Sequence, residues 1–105
     1  MNPVYAAAKI IHDTRRIIDA DEAAGLLFGQ EPHDLIDQPL LSGIQGSDMQ
    51  WLADLRLRTI EKFGELPEQD LPFARLDQSV FWARCKTVRN DDGTYTTELV
   101  YLYEY

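Results

Sequence analysis

The sequence predicts an α+β fold built on an antiparallel sheet, and three observations carry that reading. Two short apolar segments, Ala6–Ile11 and Arg16–Ala20, are separated only by His12-Asp13-Thr14-Arg15, a spacing that suits an antiparallel hairpin. The middle of the chain holds helix signals: a capping acid, a stripe of apolar residues and glycine stops. The last third is rich in strand formers and contains Asn90-Asp91-Asp92-Gly93, a strong hairpin turn.

Each element follows from its own residues. The alanines of Ala6–Ile11 weaken its strand propensity, yet the segment is apolar enough to pair with Arg16–Ala20. Asp21 then precedes Glu22-Ala23-Ala24 and the pair Leu26-Leu27. An Asp in that place accepts backbone N–H bonds and caps a helix, with Glu22 favourable in the first turn. Gly29 falls where a left-handed residue would end it. Asp19, Asp21 and Glu22 therefore read as cap and solvated surface. A catalytic carboxylate pair would need a shared cleft, and a strand–cap–helix context supplies none. Pro32–Ile36 suggests a further helical turn, broken at Gln38-Pro39-Leu40. Ser47 or Asp48 would cap a longer helix running to Phe63 and ended by Gly64. On a 3.6 period Met49, Leu52, Ala53, Leu57, Ile60 and Phe63 share one face, and Arg56 falls inside that stripe. Glu65–Asp70, with Pro67, reads as a loop. The strands Phe73–Leu76, Val80–Val88 and Tyr95–Tyr105 follow.

Composition narrows the function classes. A chain of 105 residues is expected to be a single domain, residues 1–105, with a modest core. A formal charge of −8 opposes direct binding to nucleic acid or an anionic membrane surface, because phosphate neutralisation needs clustered Lys and Arg. One cysteine, Cys85, rules out an internal disulfide or a cysteine-based zinc site, and His12 and His33 show no ligand spacing. No apolar run is long enough to span a bilayer, and residues 1–15 lack a signal-peptide core. A cytoplasmic location and no metal are expected. No Ser/His/Asp or Cys/His arrangement suggests an enzyme.

The ordered segments resemble a PAS domain over nearly the whole chain. The family's Asn-x-Ala-Ala, Leu-x-Gly and Leu-Ile-Gly-x-Pro-Leu are similar to Asp21-Glu22-Ala23-Ala24, Leu27-Phe28-Gly29 and Leu35-Ile36-Asp37-Gln38-Pro39-Leu40. Its Asp-Gly-Ser-x-Phe-Trp resembles Asp77-Gln78-Ser79-Val80-Phe81-Trp82, and its closing hairpin resembles Arg89-Asn90-Asp91-Asp92-Gly93. Asp21, Asp37 and Gln78 depart from the pattern, and Gln78 is the least comfortable turn residue of the three. The resemblance implies a five-stranded antiparallel sheet in the order 2-1-5-4-3. Short helices and one longer helix would pack on one face and often enclose a ligand cavity.

Against the family's cofactors, the segment Asp37–Leu41 contains no Cys for the adduct of a flavin-binding LOV domain. The positions where LOV domains carry Asn and Gln hold Ala83 and Leu102. Ser42–Phe63 contains no His for the axial ligand of a haem-binding relative. LOV-type flavin and His-ligated haem are therefore disfavoured, and the ligand is left unnamed.

Strand alternation puts Phe81, Ala83, Cys85 and Thr87 on one face and Trp82, Arg84 and Lys86 on the other. The resemblance points the first set inward, with Phe73 from the preceding strand. Cys85 reads as a small buried hydrophobe or, in principle, a thiolate ligand. Arg56 either clamps a ligand carboxylate or phosphate, or extends to water or a nearby acid. Glu98 is one such acid if it and Val100 face the helices. Leu99, Tyr101 and Tyr103 then lie outside beside Trp82, as an aromatic face covered by the Val4-Tyr5 segment or a second copy. Two functions follow. One is a sensory module that binds a small ligand and signals to a flanking histidine kinase, cyclase or transcription regulator. The other is a ligand-free dimerisation module.

Overall fold

A computed structural model of the chain describes residues 5–13, 15–38, 55–56 and 58–105. Its strands are β1 (Ala8–His12), β2 (Ile17–Ala20), β3 (Glu65–Ala74), β4 (Val80–Arg89) and β5 (Tyr95–Glu104). Helices α1 (Glu22–Phe28) and α2 (Pro32–Leu35) connect β2 toward the middle of the chain. Residues 58–63 form a further helical segment, α3. All strand pairs are antiparallel, and the sheet order is β2-β1-β5-β4-β3. The expected α+β class and strand order are those observed. No helix among the described residues is long and apolar enough to cross a membrane.

Local chemistry explains most boundaries. Ala24 N–H donates to Asp21 Oδ1 at 2.8 Å, and Lys9 N–H donates to Asp21 Oδ2 at 3.1 Å. One carboxylate thus caps α1 and ties its start to β1. Gly29 ends α1 with φ 70°, its N–H directed to the carbonyls of Gly25 and Leu26. The β4–β5 hairpin closes through Asn90 N–H to Thr94 O at 2.7 Å, with Asp92 accepting from the Thr94 N–H and hydroxyl. Gly64 (φ 77°) terminates α3, and the Arg89 guanidinium donates to the carbonyls of Ile60 and Glu61. The Ile60 carbonyl also accepts from the Gly64 N–H at 2.8 Å, so the guanidinium adds a second bond there at the helix end.

Three expectations are corrected here. Glu65–Asp70 is strand rather than loop: β3 absorbs Pro67 in a bulge, Leu66 pairing with Thr87 and Gln69 with Cys85. β3 is an edge strand, where a residue without an N–H is tolerated. The same strand stops at Ala74, because Arg75–Ser79 forms a tight turn that leaves Leu76 exposed. Phe63, placed on the buried stripe by periodicity, is 67% exposed, while Ile60 is buried. The rest of that stripe, Met49, Leu52, Ala53 and Leu57, lies outside the described residues, as does the expected cap at Ser47 or Asp48.

The main core sits between the sheet and α1–α2, where Ala8, Ile10, Leu27, Phe81, Ala83 and Leu99 are buried. At its far end the rings of Phe28 and Phe73 pack on Phe81 at 5.5 and 5.7 Å, and Tyr5 meets Tyr101 at 4.7 Å. Arg75 closes this end. Its guanidinium lies 4.5 Å from the Phe81 ring centre and donates to Leu27 O, Ser79 Oγ and both carboxylate oxygens of Glu104. A second, smaller cluster joins Ile60 of α3 to Leu66 and Tyr95 at the opposite end.

Candidate functional site on the inner sheet face

The inner face of the sheet is read off its register. Directly opposed residues of an antiparallel pair lie on the same face, so Phe81, Ala83, Cys85 and Thr87 on β4 bring Thr97, Leu99 and Tyr101 of β5 with them. Ala8, Ile10 and His12 of β1, and Leu66, Gln69, Leu71 and Phe73 of β3, complete the surface. Between the aromatic core at one end and the Ile60 cluster at the other, this surface becomes polar.

His12, Thr87 and Thr97 are buried there, at 4%, 3% and 7% exposure. His12 Nδ1 lies 2.7 Å from the Asp13 carbonyl, which can only accept, so Nδ1 carries the proton and donates. The other ring nitrogen, Nε2, is then an acceptor and takes the Thr97 hydroxyl at 2.6 Å. Thr97 Oγ1 in turn accepts from Thr87 Oγ1 at 2.7 Å. The three side chains form one directional relay from β4 across β5 to β1. Burial holds the His12 pKa below its ordinary value, against the opposing pull of Asp13, which keeps the ring neutral and the relay intact. The ring also stacks on Tyr95 at 5.8 Å.

Arg56 reaches this surface from the helical side. Half-buried, it donates to Gln69 Oε1. Desolvation lowers its pKa, and its charge acts on both His12 and Cys85. Cys85 itself is pushed up to about 12, chiefly by burial, so it is a neutral thiol. Its Sγ–H points toward Ala83 O at 3.7 Å. The arrangement is one guanidinium and one side-chain amide beside a row of small residues, backed by a saturated hydroxyl–imidazole relay.

Of the expected cavity set the structure brings Arg56 near Cys85, with Ala83 inward on the same strand and Phe81 inward at the aromatic end. Phe73 is also inward, but it is packed into the aromatic core against Phe28 and Phe81. Glu98 and Val100 are corrected: both are exposed on the outer face, Glu98 between Lys9 and Lys86 in register and Val100 43% exposed. Glu98 therefore does not partner Arg56. The aromatic row on the outside is corrected as well. Leu99 is 1% exposed in the core, and Tyr101 is half-buried against Tyr5 and Phe81. A bulge explains the split, since Ala83 pairs with Tyr101 but Trp82 with Tyr103. The extra residue, Leu102, reverses the alternation, so Tyr103 emerges outside and stacks on Trp82 at 6.2 Å.

The rest of the outer face mixes charged residues with Val88, Thr96 and Val100. Lys9, Glu68, Arg84, Lys86 and Glu98 border a shallow depression of about 460 Å³. Sequence reasoning pointed Thr87 inward without making it a site residue and missed His12, Gln69 and Thr97, having taken His12 for a turn residue and Gln69 for a loop residue.

Among the described residues no group of His, Cys, Asp and Glu is placed to hold a metal ion. The residues weighed for family cofactors do not fit them. Ala83 is buried with no side-chain polar atom to offer a flavin ring. Both ring nitrogens of the one buried histidine described, His12, are already hydrogen-bonded.

No family model matches the sequence, and no curated protein is similar to it. Solved structures are. The chain is similar to the PAS domain of a LuxR-family transcriptional regulator from Burkholderia thailandensis, determined in complex with ethanol. The two share 17% identity and superpose with a TM-score of 0.76, over 91% of this chain and 88% of that one. It is similar to a domain of a sensory box sensor histidine kinase/response regulator from Geobacter sulfurreducens, with 15% identity, a TM-score of 0.78 and coverage of 90% and 82%. A PAS domain from Colwellia psychrerythraea superposes with a TM-score of 0.79 at 16% identity, over 92% of this chain and 86% of that one. Identities this low speak to architecture, and the architecture agrees in strand order, strand direction and short helices on one side of the sheet: the chain has the PAS fold.

Proposed function

We propose that the chain is a sensory PAS domain of a larger signalling protein. A small molecule held against the inner sheet face biases the domain between two conformations, and a flanking effector reads the difference. The observation that carries this reading is the half-buried Arg56, which donates to Gln69 and whose charge acts on His12 and Cys85, on the sheet face that also holds the buried Thr87 and Thr97. Desolvating a guanidinium costs free energy that an apolar residue in the same place would not. Side chains retained at that cost on a core-facing surface suit recognition better than packing. The similar folds from a transcriptional regulator and a sensor kinase support the kind of effector, and the one determined with ethanol supports a small ligand. Signalling requires that the ligand prefer one conformation.

Native mass spectrometry of freshly purified protein, with an absorption spectrum, tests the reading. A retained small molecule, or a ligand that slows amide exchange on β4 and β5, is the expected result. A protein that binds no small molecule of any class would overturn it.

A second reading, a dimerisation module, draws on the outer face. Trp82 and Tyr103 stack there with Tyr103 54% exposed, next to Val100. Trp82→Ala with Tyr103→Ala should then abolish a dimer seen by light scattering, and a wild-type monomer at high micromolar concentration would dismiss the idea.

A further inference from the structure

The polarity of the hydrogen bonds around Arg56 narrows the class of ligand, and this step rests on the sensory reading above. The relay uses its protons internally: Thr87 donates to Thr97, Thr97 to His12, and His12 to the Asp13 carbonyl. It therefore has no proton to offer a ligand. Among the described residues, the donors next to that contact are the other guanidinium N–H groups of Arg56 and the amide NH₂ of Gln69, whose Oε1 is already taken by Arg56. Two donor groups lie side by side, and one of them carries a fixed positive charge.

Among the described residues no carboxylate stands within salt-bridge distance of Arg56; the ion pairs formed there use Arg75, Arg84 and His33. Glu98, the acid that could have neutralised it, is on the opposite face. A cation in a half-desolvated setting, with no carboxylate partner among the described residues, favours one negative charge. A second charge on the ligand would be left without a partner, in a chain whose net charge is already −8. Arg56 and Gln69 are both half-buried rather than sealed, so a small solute can reach them.

We infer that Arg56 and Gln69 form the recognition site for a small monocarboxylate, the guanidinium and the amide each donating to the carboxylate oxygens.

Thermal unfolding and calorimetric titration of the full chain with acetate, pyruvate and butyrate test this, with butyramide as the uncharged counterpart and inorganic phosphate as the dianionic one. At tenfold saturation a bound monocarboxylate should raise the midpoint by about 5 °C, with butyramide and phosphate ineffective. Arg56→Gln should lose at least tenfold in affinity and Arg56→Lys should keep part of it; the wild-type comparison stands even if the Gln variant folds poorly. Butyramide binding as well as butyrate, or full affinity in folded Arg56→Gln, would overturn the oxyanion assignment while leaving a small-molecule sensor in place. Preference for phosphate would overturn the carboxylate. Failure of every compound would overturn the inference, and the native mass spectrum would then decide separately whether the sensory reading stands.

Discussion

Gln78 occupies the left-handed region at φ 71°, where the tight turn Arg75–Ser79 demands a conformation that glycine adopts without strain. Asp37 does the same at φ 69°, more comfortably, since short polar side chains tolerate this region. Gln78→Gly should therefore stabilise the domain by about 0.5–1 kcal/mol, after allowing for the extra freedom glycine has in the unfolded chain. Chemical denaturation checks it, and no change would show that neighbouring contacts already offset the strain. Gly25 shows the opposite constraint. A Cβ there would meet the Gln30 carbonyl oxygen at 2.6 Å and Pro32 Cδ at 2.9 Å. Backbone cannot step aside as a side chain can. Gly25→Ala should cost about 1–3 kcal/mol despite the better helix propensity of alanine, measured the same way, with α1 and α2 losing exchange protection first.

Among the elements, α1 depends on a single residue at its start. Asp21 accepts from Ala24 in its own helix and from Lys9 in β1, so Asp21→Ala removes a cap and an inter-element tie together. The expected loss is about 1–2 kcal/mol, while Asp19→Ala should stay within about 0.5 kcal/mol; equal effects would mean the cap is not special. β5 shows how a strand can mislead. Its inward face was legible from the turn: the closed pair Asn90–Thr94 sets Cys85 opposite Leu99, and Cys85 had already been placed inward. Treating β5 in isolation put Val100 and Leu102 inside on hydropathy and left the tyrosines outside. Counting residues outward from the turn would have corrected Leu99 and Glu98. It would not have found the bulge at Leu102, because no residue type there announces one.

At the scale of the whole molecule, stability should fall with acidification in two windows. The folded pKa of His12 is lowered from 6.5, so the unfolded chain takes up the proton first. The contribution of neutral His12 is complete above about pH 6.5 and is lost as pH falls from there toward the folded value. Asp13, Asp77 and Asp92 accept hydrogen bonds in turns that lower their pKa values from 3.8. Their contributions are complete above about pH 4 and are lost below it. Urea midpoints measured between pH 8 and 5 should fall for the wild type and flatten for His12→Asn. A flat wild-type profile would mean the relay tolerates a charged imidazole.

The ordered punctuation of this chain was enough to specify its α+β class and most of its element order, while the strand order 2-1-5-4-3 came from the resemblance to PAS domains. The cap at Asp21, the stop at Gly29, the break at Gln38-Pro39-Leu40, the turns at Asp77-Gln78 and Asn90–Gly93, and the strand formers between them mark out the elements. Such signals are local, and their physics acts within a few residues. The candidate site is not local. His12, Arg56, Gln69, Thr87 and Thr97 come from four strands and a helix. Nothing near any of them in sequence marks it as a partner of the others. Which polar side chains share a buried surface depends on sheet order, on two bulges and on the phase of each strand. Those are settled only when long-range pairs form and water is excluded between them.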